Sequence, residues 1–312
     1  MLKANQPSSP RDSRSSTGKS GVPAESVKGI EDKSSVIPAS DEELEQYFEG
    51  CAIFGDGFSP DQISRWFADE TEAYADLGAK DHGSYRYRYH SMNSVHGYGR
   101  LPSQRRFRRA LGFGSAYGDE LVPVLDRVDS VTIVDPSDSF VQSKLHGKPV
   151  EWVKPDPSGT LPFDDGTFDL ITCFGVLHHI PNVTHVLSEF GRVLSPGGMA
   201  LVREPVVSMG DWRKPRRGLT SRERGLPLEP FKAAIERSGL RARSFRLIGF
   251  GPMLAVCGKL GYNPYNSTAL TMLDWLLAES AKSNYRYHTR NEGIIQKVRP
   301  TAVFCVLERS AD

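Results

Sequence analysis

The stretch Leu111-Gly112-Phe113-Gly114-Ser115-Ala116-Tyr117-Gly118, followed by Val131-Thr132-Ile133-Val134-Asp135, decides the fold of this 312-residue chain. Glycine is needed where the backbone takes positive φ or passes within contact distance of a ligand, so Gly112 and Gly114 mark a tight turn after a strand ending near Leu111. A helix is expected from about Asp119 to Leu125, and then an apolar β-branched run ending in a carboxylate, Asp135, about twenty residues after the glycines. Such an acid, at the carboxyl end of a second strand, can accept hydrogen bonds from both hydroxyls of a ribose. Strand, glycine turn, helix, strand and acid describe half of a doubly wound sheet, with an adenosine-sized ligand over its carboxyl edge.

Three later phrases continue the pattern: Leu161-Pro-Phe-Asp-Asp-Gly-Thr-Phe-Asp-Leu-Ile171, Val176-Leu-His-His-Ile-Pro181 and Arg192-Val-Leu-Ser-Pro-Gly-Gly198. With them the region Arg106 to Ile248, and the strand Thr301 to Glu308, resembles the class I S-adenosylmethionine-dependent methyltransferases of the small-molecule group. The resemblance implies a Rossmann-like, doubly wound α/β sheet of seven strands with an antiparallel last strand. It further implies that Gly112 and Gly114 hold the methionine part of S-adenosylmethionine, that Asp135 holds its ribose, that Asp156 reaches its adenine, and that Phe174 lines the cofactor site. Two positions depart from the family pattern. Ala110 stands where an acid commonly precedes the first glycine, and Arg106-Phe-Arg-Arg-Ala-Leu111 brings arginines into a first strand that is normally apolar.

Around this region, residues 1–40 are rich in Ser, Pro, Lys and Gly and are expected to be a disordered tail, because they offer too little apolar surface to offset ordering entropy. Residues 41–100 read as an N-terminal helical cap. Within them Ser59-Pro60-Asp61-Gln62 has the form of a helix start, and Ile63, Trp66, Phe67, Tyr74 and Leu77 recur at near-helical spacing. The methyltransferase domain is expected over 101–312, with helices at Asn182 to Leu194 and Leu228 to Ser238, and an edge pair of strands at Arg243 to Phe250 and Thr301 to Glu308. An insertion, 251–300, separates that pair; its helix Ser267 to Lys282 sets Leu270, Leu273, Leu276 and Leu277 on one side, as a lid, a homodimer contact or plain packing over the sheet edge.

Lys+Arg 39 against Asp+Glu 38 gives a net charge of +1, so no global field draws nucleic acid or membrane. The scattered Cys51, Cys173, Cys257 and Cys305 form no C-x-x-C pair, which argues against a metal site and for a reducing, cytoplasmic setting. No apolar run approaches the roughly eighteen residues that span a bilayer. Local basic stretches at Tyr85-Arg-Tyr-Arg-Tyr-His90 and Arg213-Lys-Pro-Arg-Arg217, with Arg222 and Arg224, either meet an anionic acceptor or simply solubilise their segments. A hydroxyl acceptor must lose a proton, and the nearest bases of suitable pKa are His179, the favoured one, and His178; Glu204 is a further candidate. The reading is methyl transfer at oxygen or carbon of a small-molecule, glycan-linked or lipid-linked acceptor. A non-catalytic partner-binding relative and a nicotinamide oxidoreductase stand as alternatives, the latter weakened by the absence of a Tyr-x-x-x-Lys pair.

Overall fold

A computed structural model describes residues 40–77, 87–211, 214, 216, 219–220, 222–288 and 293–310. The expected tail, Tyr85, Arg86, Arg213 and Arg217 therefore lie outside the described residues, as do the side chains of Tyr74 and Leu77. In chain order the elements are α1 (Asp41–Glu49), α2 (Pro60–Leu77), α3 (His90–His96), β1 (Phe107–Phe113), β2 (Val128–Val134), β3 (Lys144–Leu145), β4 (Lys148–Val153), β5 (Phe168–Phe174) and α4 (Val183–Val193). They continue with β6 (Leu194–Pro205), α5 (Leu228–Arg237), β7 (Leu240–Phe250), α6 (Gly251–Lys259), α7 (Thr268–Ser280), α8 (Ile294–Lys297) and β8 (Pro300–Arg309).

The strands form one sheet in the order β3-β4-β2-β1-β5-β6-β8-β7. β4, β2, β1, β5 and β6 run parallel, β8 inserts antiparallel between β6 and β7, and the expected seven strands gain an eighth only because the two-residue β3 turns back on β4. Strand order reverses between β1 and β5, which is where a doubly wound sheet opens a crevice at its carboxyl edge. Successive residues face opposite layers. Leu111 and Ile171 pack with Phe190 of α4 and Phe231 of α5 on one side; Ala110 and Leu170 pack with Leu121, Tyr98 and Phe304 on the other.

β1 absorbs its arginines at the amino end, where Arg108 and Arg109 are exposed while Ala110 to Phe113 are buried. Asp169 at the start of β5 accepts the N–H groups of Arg108 (2.8 Å) and Arg109 (3.1 Å), and the Arg109 guanidinium lies 5.3 Å from the Phe168 ring. α2 begins as its sequence directs: the Ser59 N–H donates to Gln62 Oε1 (2.9 Å) and the Gln62 N–H returns to Ser59 Oγ (3.4 Å), a reciprocal cap.

The helix expected over Asp119 to Leu125 is a 3-10 helix, Asp119–Arg127, consistent with Pro123, which has no N–H to give. In α7 Leu273 and Leu276 are exposed, whereas Thr271, Asp274 and Ala278 are buried. Asp274 decides that orientation, because its carboxylate accepts the N–H groups of Gly249 and Phe250, each at 2.8 Å, where β7 turns into α6.

α4 and α5 meet through Gly191, where a Cβ would stand 2.1 Å from the Ser238 carbonyl oxygen. Replacing Gly191→Ala must push α5 away and is expected to cost about 1–3 kcal/mol, the usual range for overpacking. Calorimetric unfolding of the variant should register that loss as a lowered Tm; an unchanged Tm would show that the two helices part freely.

Candidate active site

The glycine turn and Asp135 converge. Asp135 is 1 % exposed, and its two oxygens accept the N–H groups of Ala116 (3.0 Å) and Ser137 (3.0 Å), so the carboxylate at the end of β2 holds the turn that follows β1. Gly114 has φ of +66° and donates its N–H to Val134 O (2.7 Å); a Cβ there would lie 2.6 Å from the Val176 side chain, so the close approach it permits is to the turn after β5. Gly112 needs its hydrogen for a different reason, since a Cβ would strike Ser115 Oγ at 2.4 Å. Burial raises the Asp135 pKa to about 6 against the pull of the two backbone N–H groups.

Two adjoining hollows share Gly114 and Gly175. The first is lined by Phe67, Asp135, Pro136, Asp156, Val176 and His179 among others. Asp156 is exposed on its rim, and hydrogen bonds from Ser158 lower its pKa. The second is lined by Tyr87, Arg88, Tyr89, Ser115, Glu120, Phe174 and Arg203. A Cβ on Gly175, at φ +75°, would meet nothing nearer than 3.7 Å, so a side chain there would occupy the hollow itself.

Sequence reasoning missed Glu120 and Arg203. Glu120 is 4 % exposed; its Oε1 accepts from Ser115 Oγ (2.7 Å) and Thr172 Oγ1 (2.8 Å), which brings a buried acid beside the glycine turn where Ala110 has none. Burial raises it to about 7 despite those two bonds. No local motif announces it, because it follows the glycines by several residues. Arg203 ends β6 among neutral partners: it stacks 3.9 Å from the Tyr89 ring, donates to Asn93 Oδ1 (3.2 Å) and to Phe174 O (3.4 Å), and among the described residues makes no ion pair within 4.0 Å. By contrast Arg222 pairs with Asp69 (2.9 Å), and Arg224, 1 % exposed, donates to the carbonyls of Phe54, His178, Ile180 and Pro181. Those two arginines are thus spent on structure.

His178 and His179 stand on a 3-10 turn after β5, their rings 4.1 Å apart. His178 is buried between two acids, with Nδ1 2.8 Å from Glu204 and Nε2 3.3 Å from Glu223. Although burial opposes its charge, the two acids raise its pKa to about 9. His179 lines the first hollow; its Nδ1 lies 2.7 Å from Glu70 of α2, and burial together with His178 lowers its pKa. Glu204, at the end of β6, accepts the N–H groups of Val176 (3.0 Å) and Leu177 (2.9 Å) and so fixes the turn that carries both histidines.

Residues 111–202 match a family described as a methyltransferase domain. Demethylmenaquinone methyltransferases of Bacillus cereus and Bacillus anthracis are 40% identical over 60 residues, which is 19% of this chain and 22% of each relative. The match therefore spans about a fifth of their length. Among solved structures, the [4+2]-cyclase SpnF shares the fold with a TM-score of 0.50 and 15% identity, over 84% of this chain and 100% of that one. An S-adenosylmethionine-dependent methyltransferase from Mesorhizobium loti aligns at TM-score 0.45 and 16% identity, over 68% and 95%.

The raised pKa values of Glu120 and Asp135 set a sign for stability. The folded chain keeps protons that the unfolded chain, at ordinary values of 4.5 and 3.8, has released. Their contribution is complete below those ordinary values and is lost as the pH climbs through about 6 and 7. Glu120→Gln removes about half of that loss, so its Tm relative to the parent should rise between about pH 5 and pH 8. A difference that stays flat over this interval would show that Glu120 titrates like an exposed acid.

Proposed function

We propose that this chain, which carries a class I S-adenosylmethionine-dependent methyltransferase domain, transfers a methyl group to oxygen or carbon of a small-molecule, glycan-linked or lipid-linked acceptor bearing an anionic group. The observation that carries the reading is the convergence of Asp135 and the Gly112–Gly118 turn on one cleft at the strand-order reversal. The donor set fits the cofactor. One acid, Asp135, faces a hollow of nucleoside size between Pro136, Asp156 and Val176; a second acid, Glu120, and a cation, Arg203, line the adjoining one, as an amino acid end requires. When bound, the cofactor supplies a sulfonium methyl, and its carbon–sulfur bond breaks as the acceptor's bond to that carbon forms.

The chain's own residues then have four tasks. Asp135 accepts from the ribose with the lone pairs that Ala116 and Ser137 leave over, while Gly112 and Gly114 keep the turn close enough to receive the methionine part. Asp156 takes the adenine side and Phe174 walls the reacting end. Arg203, which makes no ion pair within 4.0 Å among the described residues, holds the acceptor's negative group or the cofactor's carboxylate. His179, whose lowered pKa keeps it neutral near pH 7, takes the acceptor's proton, and His178 positions it. Orientation in a water-poor cleft can supply about 7–11 kcal/mol of the acceleration. The small-molecule class gains support from the matched relatives, which are named for demethylmenaquinone.

Titration calorimetry tests the reading: S-adenosylmethionine should bind saturably, and Asp135→Ala should weaken it about 10- to 150-fold, the value of one hydrogen bond to a charged group. Tighter binding of NAD than of S-adenosylmethionine would overturn it. His179→Ala should retain cofactor binding and lose about 100-fold or more in turnover with a hydroxyl acceptor; undiminished turnover would remove His179 from the chemistry.

A further inference from the structure

On the wall of the first hollow, two imidazoles and three carboxylates meet in a way that methyl transfer does not require. Glu204 accepts backbone N–H groups on both oxygens, from Val176, Leu177 and His178. A cation that displaces the Nε2 proton of His178 leaves Nδ1–H to donate to Glu204, 2.8 Å away, and turns the Nε2 lone pair to the space beside Glu223 Oε1, 3.3 Å away. Glu223 is held from behind, its Oε2 accepting the Thr220 N–H at 3.0 Å. Glu70 is held likewise: Oε1 accepts the Arg222 N–H at 2.7 Å, and Oε2 faces His179 Nδ1 at 2.7 Å. Glu204, Glu223 and Glu70 thus each have one oxygen anchored by backbone N–H and the other turned to an imidazole. That is the pattern by which outer-shell partners orient metal ligands.

We propose that His178, His179 and the Glu223 carboxylate bind a divalent first-row transition ion of the zinc type. The ligand atoms of His178, His179 and Glu223 lie within 4.8 Å of one another. In a tetrahedral site with bonds near 2.1 Å, such atoms stand about 3.4 Å apart, and His178 and Glu223 already do so. Two imidazoles and a carboxylate suit zinc rather than magnesium or calcium, which favour all-oxygen sets. The ion would join the turn after β5 to the segment before α5. The scattered cysteines gave no hint of it, because its donors come from positions 178, 179 and 223.

The test uses the full chain, stripped by a chelator, dialysed and titrated with Zn²⁺ without cofactor. One Zn²⁺ per chain should survive gel filtration, raise the Tm, and give nitrogen and oxygen scattering in X-ray absorption. Glu223→Gln should weaken the affinity at least tenfold. Glu204→Gln, which removes no ligand, should weaken it about 10- to 100-fold through the His178 tautomer. A parent chain that retains no Zn²⁺ and shows no Tm shift, or that binds no better than Glu223→Gln, would overturn the proposal. Because no cofactor is present, either result leaves the methyl-transfer reading standing. The two readings of His179 also separate, since His179→Ala lowers metal content only if the ring is a ligand.

Discussion

A single buried carboxylate holds the carboxyl edge of this sheet together at the strand-order reversal. Asp135 is almost wholly removed from water, and burial of a charge is unfavourable unless hydrogen bonds replace its hydration. The Ala116 and Ser137 N–H groups supply that replacement from two different turns, one following β1 and one following β2. The bonds fix the spacing of the two strand ends as firmly as the ladder Phe113 to Val134 beneath them. Backbone conformation follows from the same constraint. Ala116 is drawn to φ +47° and Gly114 to +66°, a sequence of positive-φ residues that an unanchored turn would relax.

The other half of the cleft is built by polar contact rather than by apolar packing. Trp66 of α2 is buried, yet its indole N–H is spent on the His179 carbonyl (2.7 Å), and Glu70 one turn further reaches His179, Thr220 and the Arg222 backbone. Glu204 performs the same task from the sheet. A wall joined by ionisable groups is sensitive to protons and cations in a way that a leucine seam is not, because each group's charge depends on what occupies its neighbours. No helix among the described residues is long and apolar enough to cross a membrane.

How far the sequence reached follows from the range of the signals. Local ones read well: the glycine turn, the Val131–Asp135 run, the Ser59–Gln62 helix start and the edge strands around Arg243 and Thr301 all involve residues a few positions apart. Non-local ones did not. The leucines of α7 form a regular stripe, and periodicity left a lid, a dimer contact and packing over the sheet edge open; one buried acid, Asp274, binding two N–H groups of β7, fixes which side faces in. Glu120 and Arg203 were invisible for the same reason, since their meaning comes from Ser115, Thr172 and Tyr89 brought up by the fold. The arginines of β1 read as a defect because strand burial was taken as uniform along its length. Only the carboxyl half of β1 lies deep in the sheet, and the amino end has Asp169 to receive its N–H groups.

Charge in this molecule is informative only after pairing is known. Arg192 and Arg203 are separated by one strand, and a count of basic residues treats them alike. Arg192 is paired with Glu189 and Asp165 and with the carbonyls of Leu161 and Phe163, so its charge is consumed in holding the Leu161–Asp165 segment against α4. Arg203 is nearly as deep as a core residue, but an aromatic ring, an amide and a carbonyl are all it touches among the groups named above. A buried guanidinium without an anion costs several kcal/mol that the fold must supply. Such a cost persists where a ligand with a negative group returns it on binding. Arg224, deeper still, offsets that cost with four backbone carbonyls; Arg203, beside the glycine turn, has one carbonyl and one amide oxygen.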